Sequence, residues 1–284
     1  MPGTLYVVAT PIGNLEDITL RALRVLREVD LIACEDTRHT AKLLTHFGIH
    51  KRTTSYHDHN EARKAAVLVD HLEAGQNVAL VTDAGTPCLS DPGYTVVHLA
   101  REKGISVIPI PGPCSFIAAL SVSGQSSDEF TFLGFLPSRK GARAKFLDSL
   151  KSELRTLIFL ESPERILETL ADLSEILGDR PLTVARELTK VHEEFFSGTP
   201  REALEFYRTK PPKGEIVLIV GAGTRRVGTL VELSPTELRA RVGQFVEQLG
   251  LSKMEAIKHL ARELHVPRRA LYKNLLDSEK GEAP

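Results

Sequence analysis

Residues 78–93 read Val78-Ala-Leu-Val-Thr-Asp-Ala-Gly-Thr-Pro-Cys-Leu-Ser-Asp-Pro-Gly93. An apolar core runs directly into a loop of Asp, Gly, Thr, Pro and Ser, which are side chains that hold ligands. The spacing predicts a buried strand over 77–82 and a helix starting at Pro92, whose fixed φ and missing N–H suit a first turn. Ligands of open parallel sheets sit beyond the carboxyl ends of the strands, so this loop is a candidate binding edge. Asp83 is expected at the strand tip. Gly85 is expected to let the backbone approach a ligand where a Cβ would clash. A plain βα turn with good capping residues has the same composition, so the other loops must decide.

Similar loops follow other predicted strands. They are Ala9-Thr-Pro-Ile-Gly-Asn-Leu15, Cys34-Glu-Asp-Thr-Arg38, Tyr56-His-Asp-His-Asn-Glu61 and Pro109-Ile-Pro-Gly-Pro-Cys-Ser115. An alternating sheet gathers such loops on one edge. Other chemistries are poorly supported. No GxxxxGK[ST] loop is present, Gly221-Ala-Gly223 lacks the third glycine of a dinucleotide fingerprint, and His192-Glu-Glu-Phe-Phe is not HExxH. Metal-ligand spacing is absent, so no metal is expected.

The elements that must position these loops follow from periodicity. Apolar, β-branched runs at 4–9, 30–34, 77–82 and 106–110 alternate with helical stretches such as 15–29, where Ile18, Ala22, Val25 and Val29 share a face. This alternation predicts βαβ units and a parallel sheet over 1–113. Strand-like runs at 129–136, 156–160, 182–185 and 215–220 predict a second α/β domain with a mixed sheet over 114–222. Ser162-Pro163 is expected to open a helix, Ser as N-cap and Pro at N1. Residues 223–284 read as a small helical region. There Met254, Ile257, Ala261 and Leu264 form an apolar stripe, and His265-Val266-Pro267 breaks it in a helix-turn-helix-like pattern. Residues 251–276 carry six Lys/Arg against two Glu.

Composition bounds the rest. The chain has 284 residues, 42% hydrophobic and 26% charged, and a formal net charge of −1, so any nucleic acid must be met by local patches. Three cysteines without a C-x-x-C pair favour a reducing compartment. Residues 104–127 lack charge, but prolines at 109, 111 and 113 break the run, so no membrane span is expected. The start has no basic region ahead of a long apolar run, and a cytoplasmic location is expected.

Together, residues 5–14, 34–38, 55–61, 82–93 and 110–115 resemble the tetrapyrrole-methylase superfamily, and more narrowly its ribosomal RNA branch. The likeness continues through Phe135-Leu-Pro-Ser-Arg139, Glu161-Ser-Pro-Glu-Arg165, Ala185-Arg-Glu-Leu188 and Lys213-Gly-Glu215. It implies two α/β domains with S-adenosylmethionine in the cleft between them, usually in a homodimer. It implies methyl transfer to the ribose 2′-oxygen of a decoding-centre cytidine, in small-subunit rRNA or the assembled 30S subunit. The implied donor contacts are Pro11, Asp83, Ala84, Gly85 and Thr86, with Ser115 opening the inter-domain helix and Leu160 and Ala185 closing from the second domain. The tetrapyrrole branch has Gly-Asp-Pro where this chain has Asp-Ala-Gly-Thr-Pro, which favours the RNA branch.

A ribose hydroxyl is a poor nucleophile until its proton is accepted. His57, Glu61, Glu187 and Lys190 are the candidate bases, the last only if burial lowers its pKa. Phosphate attraction would come from Arg139, Lys140 and Arg143, which lie with Lys145 in a stretch free of acids. Arg38 and Arg165 flank strand-end loops and could reach phosphate or ribose, unless Glu35 or Glu161 pairs with them. The competing functions are a corrin or tetrapyrrole methylase and a non-enzymatic S-adenosylmethionine-sensing helix-turn-helix regulator.

Overall fold

The computed structural model describes residues 1–223, 235–263 and 271. The chain divides into a compact unit Met1–Gly223 and a second unit from residue 224 onward. The first unit holds two five-stranded sheets. One contains β1 (Thr4–Val8), β2 (Leu31–Cys34), β3 (Thr53–Ser55), β4 (Val78–Leu80) and β5 (Ser106–Ile110). Its order is β3-β2-β4-β1-β5 and every pairing is parallel. The crossovers run through α1 (Leu20–Glu28), α2 (Thr37–His46), α3 (Glu61–Glu73) and α4 (Tyr94–Glu102).

The second sheet contains β6 (Phe130–Phe135), β7 (Thr156–Glu161), β8 (Leu182–Arg186), β9 (Glu194–Gly198) and β10 (Ile216–Val220). Its order is β6-β7-β10-β8-β9, with β6 parallel to β7 and the other pairs antiparallel. Between its strands run α6 (Lys140–Ser149), α7 (Ile166–Leu177) and α8 (Pro200–Thr209). One core packs Leu157, Phe159, Leu170, Leu218 and Tyr207. On the opposite face α5 (Ser115–Val122) buries Phe116, Ala119 and Leu120 against Ile158, Val217 and Ile219. A large apolar side chain, once fully buried, stabilises by roughly 1.5–3 kcal/mol. The packing holds α5, which follows directly from the first sheet, against the second.

Local chemistry sets several boundaries differently from the periodicity. The expected helix over 15–29 is split, because the Thr19 hydroxyl accepts the Ala22 N–H at 3.0 Å and caps α1, which begins only at Leu20. The helix expected from Pro92 starts at Tyr94, with Gly93 as N-cap. The helix expected from Ser162 starts at Ile166, and residues 163–165 form a turn instead. That turn frees Ser162 and Pro163 to line a cavity. β3 and β9 are strands beyond those expected. No helix among the described residues is long and apolar enough to cross a membrane.

In the second unit, α9 (Pro235–Leu249) and α10 (Lys253–Glu263) bury Leu238, Val242, Ala256, Ile257 and Leu260 with Leu271. Of the expected apolar stripe, Ile257 and Ala261 are buried, whereas Met254 is 49% exposed and Ala256 and Leu260 join the packed face. Leu264, the His265-Val266-Pro267 break and most of the expected second short helix lie outside the described residues.

Candidate active site

Strands β1 and β4 are neighbours, Leu5 opposite Val78, so their following loops leave the sheet side by side. Two backbone bonds tie the loops together, Thr10 N–H to Gly85 O at 2.8 Å and Gly85 N–H to Thr10 O at 3.1 Å. The Thr10 hydroxyl donates to Thr82 O at 3.0 Å, and the Thr86 hydroxyl donates to Pro113 O at 3.1 Å. Three strand-end loops therefore form one braced surface. Gly85 sits at φ +87°, a conformation L side chains rarely adopt. A Cβ there would meet Ile12 Cγ2 at 3.4 Å and Pro113 O at 3.8 Å, which is ordinary contact. Within the protein itself, the glycine is therefore needed for its backbone angle, since a Cβ would find room among its neighbours.

This surface forms one wall of a cavity of about 630 Å³, within the range of small-molecule sites. The first sheet contributes Ile12, Glu35, Thr82–Thr86 and Leu89–Asp91. The second contributes Phe132, Phe135, Leu160–Glu164, Leu188, Lys190 and 214–217. Phe132 stacks on Phe116 of α5 with ring centroids 4.1 Å apart. Phe135 and Leu89, both lining the cavity, stay 56% and 43% exposed.

The wall from the second sheet is held by ion pairs and tight turns. The Glu161 carboxylate accepts the Ser162 N–H at 2.8 Å and the Thr169 hydroxyl at 2.6 Å, and pairs with Arg165 at 2.6 Å. Glu187 pairs with Lys190 at 2.9 Å and accepts the Glu215 N–H at 3.2 Å. Gly214, at φ +79°, leaves room for it, since a Cβ there would lie 1.8 Å from Glu187 Oε1. The non-glycine residues of positive φ among those described are Cys88, Ser90, Glu187 and Thr189. All belong to segments bordering the cavity, the usual place for backbone strain to persist.

Carboxylates dominate the polar lining. Asp83 accepts the Asp36 N–H at 3.2 Å. The Thr82 hydroxyl oxygen lies 3.1 Å from Glu35 Oε2 and 2.9 Å from Asp91 Oδ2. Burial pushes the Asp91 carboxyl up to about 6. Against this, the Thr82 hydrogen bond pulls it down, while the charges of Glu35, Asp83 and Asp58 push it further up.

Of the expected donor contacts, Asp83, Ala84, Gly85, Thr86, Ser115 and Leu160 line the cavity. Pro11 does not, and Ala185 is buried in the packing between α5 and the second sheet. Among the expected bases only Lys190 is on the wall, and its ion pair with Glu187 makes it a donor. His57 is off the wall, its Nε2 accepting from Asn60 Nδ2 at 2.9 Å. Glu61 is corrected to a structural cap of α4, accepting the Gly93 and Thr95 N–H groups at 3.1 and 3.2 Å and the Tyr56 hydroxyl at 3.0 Å. Burial raises its carboxyl, but these donors outweigh that and hold it below its ordinary value. Glu187 is likewise a brace, lowered chiefly by its bond from Lys190.

The expected RNA contacts also divide. Arg139 and Lys140 are exposed at the start of α6, a few residues beyond Phe135. The Arg38 side chain is 87% exposed and pairs with Asp36 at 2.8 Å, rather than with Glu35. Arg143 is corrected, because its side chain is 0% exposed and bonds Asp172 at 2.6 Å. Arg165 is corrected too, since its charge is taken by Glu161 beneath the cavity wall. Glu35, Asp91, Phe132 and Phe135 line the cavity without having been expected as individual site residues. Asp91 carries a signal in its Ser-Asp-Pro-Gly setting and Phe135 in its Phe-Leu-Pro-Ser-Arg setting, whereas Phe132 reads simply as a strand residue.

Known proteins match this arrangement. The family model Tetrapyrrole (Corrin/Porphyrin) Methylases matches residues 4–204. The Ribosomal RNA small subunit methyltransferase I of Synechocystis sp. is 49% identical over 280 residues, covering 98% of this chain and 99% of that one. The protein of the same name from Thermotoga maritima is 48% identical over 218 residues, which are 77% of this chain and 98% of that one. Among solved structures, diphthine synthase aligns at TM-score 0.60 with 16% identity, over 78% of this chain and 91% of that one. A uroporphyrin-III C-methyltransferase from Thermus thermophilus, solved with S-adenosylhomocysteine, aligns at 0.55 with 21% identity, over 77% and 97%.

Proposed function

The chain belongs to the tetrapyrrole (corrin/porphyrin) methylase family, and from that premise we propose that it methylates the ribose 2′-oxygen of a decoding-centre cytidine in small-subunit rRNA. Near-full-length identity to relatives named for methylating the ribosomal small subunit carries the substrate class. The methyl donor is S-adenosylmethionine, which supplies an electrophilic methyl group on a cationic sulfur. The cavity fits it in charge and shape. Asp83 and Glu35 offer negative charge to the sulfonium, and Ile12, Phe116, Phe132, Leu160 and Val217 offer apolar surface to the purine. The backbone of 83–86, held by the Thr10–Gly85 bridge, supplies polar groups already in place, so little ordering is needed on binding.

The same charge pattern divides the work on RNA. Carboxylates inside the cavity repel phosphates, so a single nucleoside enters while the backbone stays outside. Phe135 and Leu89, exposed yet lining the cavity, suit the faces of a base. Arg38, Arg139 and Lys140 then take phosphates, giving register rather than sequence readout. In this reading the protein works in the cytoplasm, and a homodimer brings two such sites together. The Thermotoga relative, aligned over nearly its own whole length, is close to the first unit in size. The basic stretch at 251–276, with six Lys/Arg against two Glu, is then assigned to docking on the assembled particle rather than to donor binding.

The test is transfer of tritiated methyl from S-adenosylmethionine to undermethylated 30S subunits, with the product nucleoside identified by mass spectrometry. A 2′-O-methylcytidine is expected, and no transfer to RNA would defeat the proposal. A tetrapyrrole methylase would label a macrocycle instead, and a sensor would bind the donor without turnover. Exchanging Arg139 and Lys140 together for Gln should weaken subunit binding. It should also flatten the dependence of log K on log salt, by about one unit or less for each phosphate no longer neutralised. Binding titrations at several salt concentrations check this, and an unchanged slope removes these residues from the RNA surface.

A further inference from the structure

The Thr82 hydroxyl has one proton, yet carboxylate oxygens of Glu35 and Asp91 both stand within hydrogen-bond distance of it, at 3.1 and 2.9 Å. Thr82 is buried, and both acids line the same cavity as the loop 83–86. A hydroxyl can donate to only one of two acceptors, so the chain Asp91–Thr82–Glu35 is fully bonded only when one carboxyl also carries a proton. The site is thus built to hold or lose a proton. We propose that Asp91 accepts the proton of the 2′-hydroxyl during methyl transfer, with Thr82 and Glu35 as positioning residues that set its basicity. This inference rests on the methyltransferase reading and names a group that the reading leaves open.

The hydroxyl proton passes to the Asp91 carboxylate while the methyl group moves from sulfur to oxygen, the sulfur keeping the bond pair. Asp91 then returns its proton to water. A general base works best with a pKa near the working pH. Burial does most to raise the Asp91 carboxyl to about 6. The charged groups acting on it are Glu35 after β2, Asp58 after β3 and Asp83 after β4, all of which raise it. The Cys88 thiol, raised to about 11 chiefly by burial, also feels the Asp91 charge. Asp91 is the accepting carboxylate above about pH 6 and is protonated below it, so the rate should fall on the acid side near that pH.

Two measurements test the assignment. On the free protein, carbon-13 NMR of labelled aspartate should show Asp91 titrating near 6. Glu35→Gln should lower that midpoint by removing a negative neighbour. Thr82→Val should raise it by removing the bond that favours the charged form. On the enzyme, Asp91→Asn should cut methylation of subunits by about 10²–10⁴-fold while calorimetry shows S-adenosylmethionine still binding. The acid limb of the rate profile should move with the NMR midpoint in the Glu35 and Thr82 variants. An Asp91 midpoint near the ordinary aspartate value of about 4, or an active wild type whose acid limb ignores these changes, overturns the assignment. A wild type that transfers no methyl to subunits counts instead against the proposed function, and the NMR midpoint still reports on Asp91.

Discussion

Replacing Arg143 by Met should lower folding stability by about 3–5 kcal/mol, the usual cost of leaving one member of a buried ion pair alone. The Arg143 side chain is fully buried, and its Nε donates to Asp172, itself 6% exposed, at 2.6 Å. A second bond reaches Glu168 at 3.0 Å, but that carboxylate is mostly in water and contributes less. Removing the guanidinium strands the Asp172 charge between α6 and α7. The thermal midpoint should fall by on the order of 10 °C. A double replacement, Arg143→Met with Asp172→Leu, should recover much of the loss because no charge is then buried unpaired. Thermal unfolding of the wild type and both variants checks this. A single variant as stable as wild type, but with weakened RNA binding, would return Arg143 to the substrate surface.

Gly85→Val should weaken S-adenosylmethionine binding by roughly tenfold or more. Gly85 holds φ +87°, and its N–H and C=O are both committed to Thr10. A β-branched residue resists this angle, at a cost of roughly 1–2 kcal/mol, and about 1.4 kcal/mol is tenfold in affinity. The loop can relax only by breaking the bridge that braces the donor wall, so the cost falls on binding. Gly85→Ala should lose less, because its Cβ fits beside Ile12 and only the angle is strained. Calorimetry on folded variants decides the matter, and unchanged affinity for Val would remove this loop from the donor site.

The first half of the fold is well marked in the sequence. Strands at β1, β2, β4 and β5 are short, apolar and separated by helical periods, a pattern with few alternatives to a parallel sheet. β3 escapes such a reading because its three residues, Thr53–Ser55, are half-buried and carry no apolar pattern. β9 escapes it because two adjacent phenylalanines blur its alternation, although its burial does alternate. The helix starts expected at Pro92 and Ser162 come too early for one reason. Capping residues also suit ligand loops, and here Asp91 and Ser162 line the cavity instead.

The loop 82–86 is legible because its residue types serve both the tight turn and the ligand, so local chemistry and function agree. Which charges are free is not legible. Arg139, Lys140 and Arg143 share one basic run, but a helix turns side chains only a few positions apart toward different environments. The two at the start of α6 reach solvent, whereas Arg143 faces Asp172, 29 residues away in sequence. The same holds for proton transfer. Glu35 and Asp91 lie on opposite sides of Thr82 along the chain, 47 residues before it and 9 after. Composition determined that carboxylates, glycines and apolar strands were present. Only the tertiary structure brought two carboxylates to one hydroxyl, because interaction between charges depends on separation in space and on burial, and neither is written along the chain.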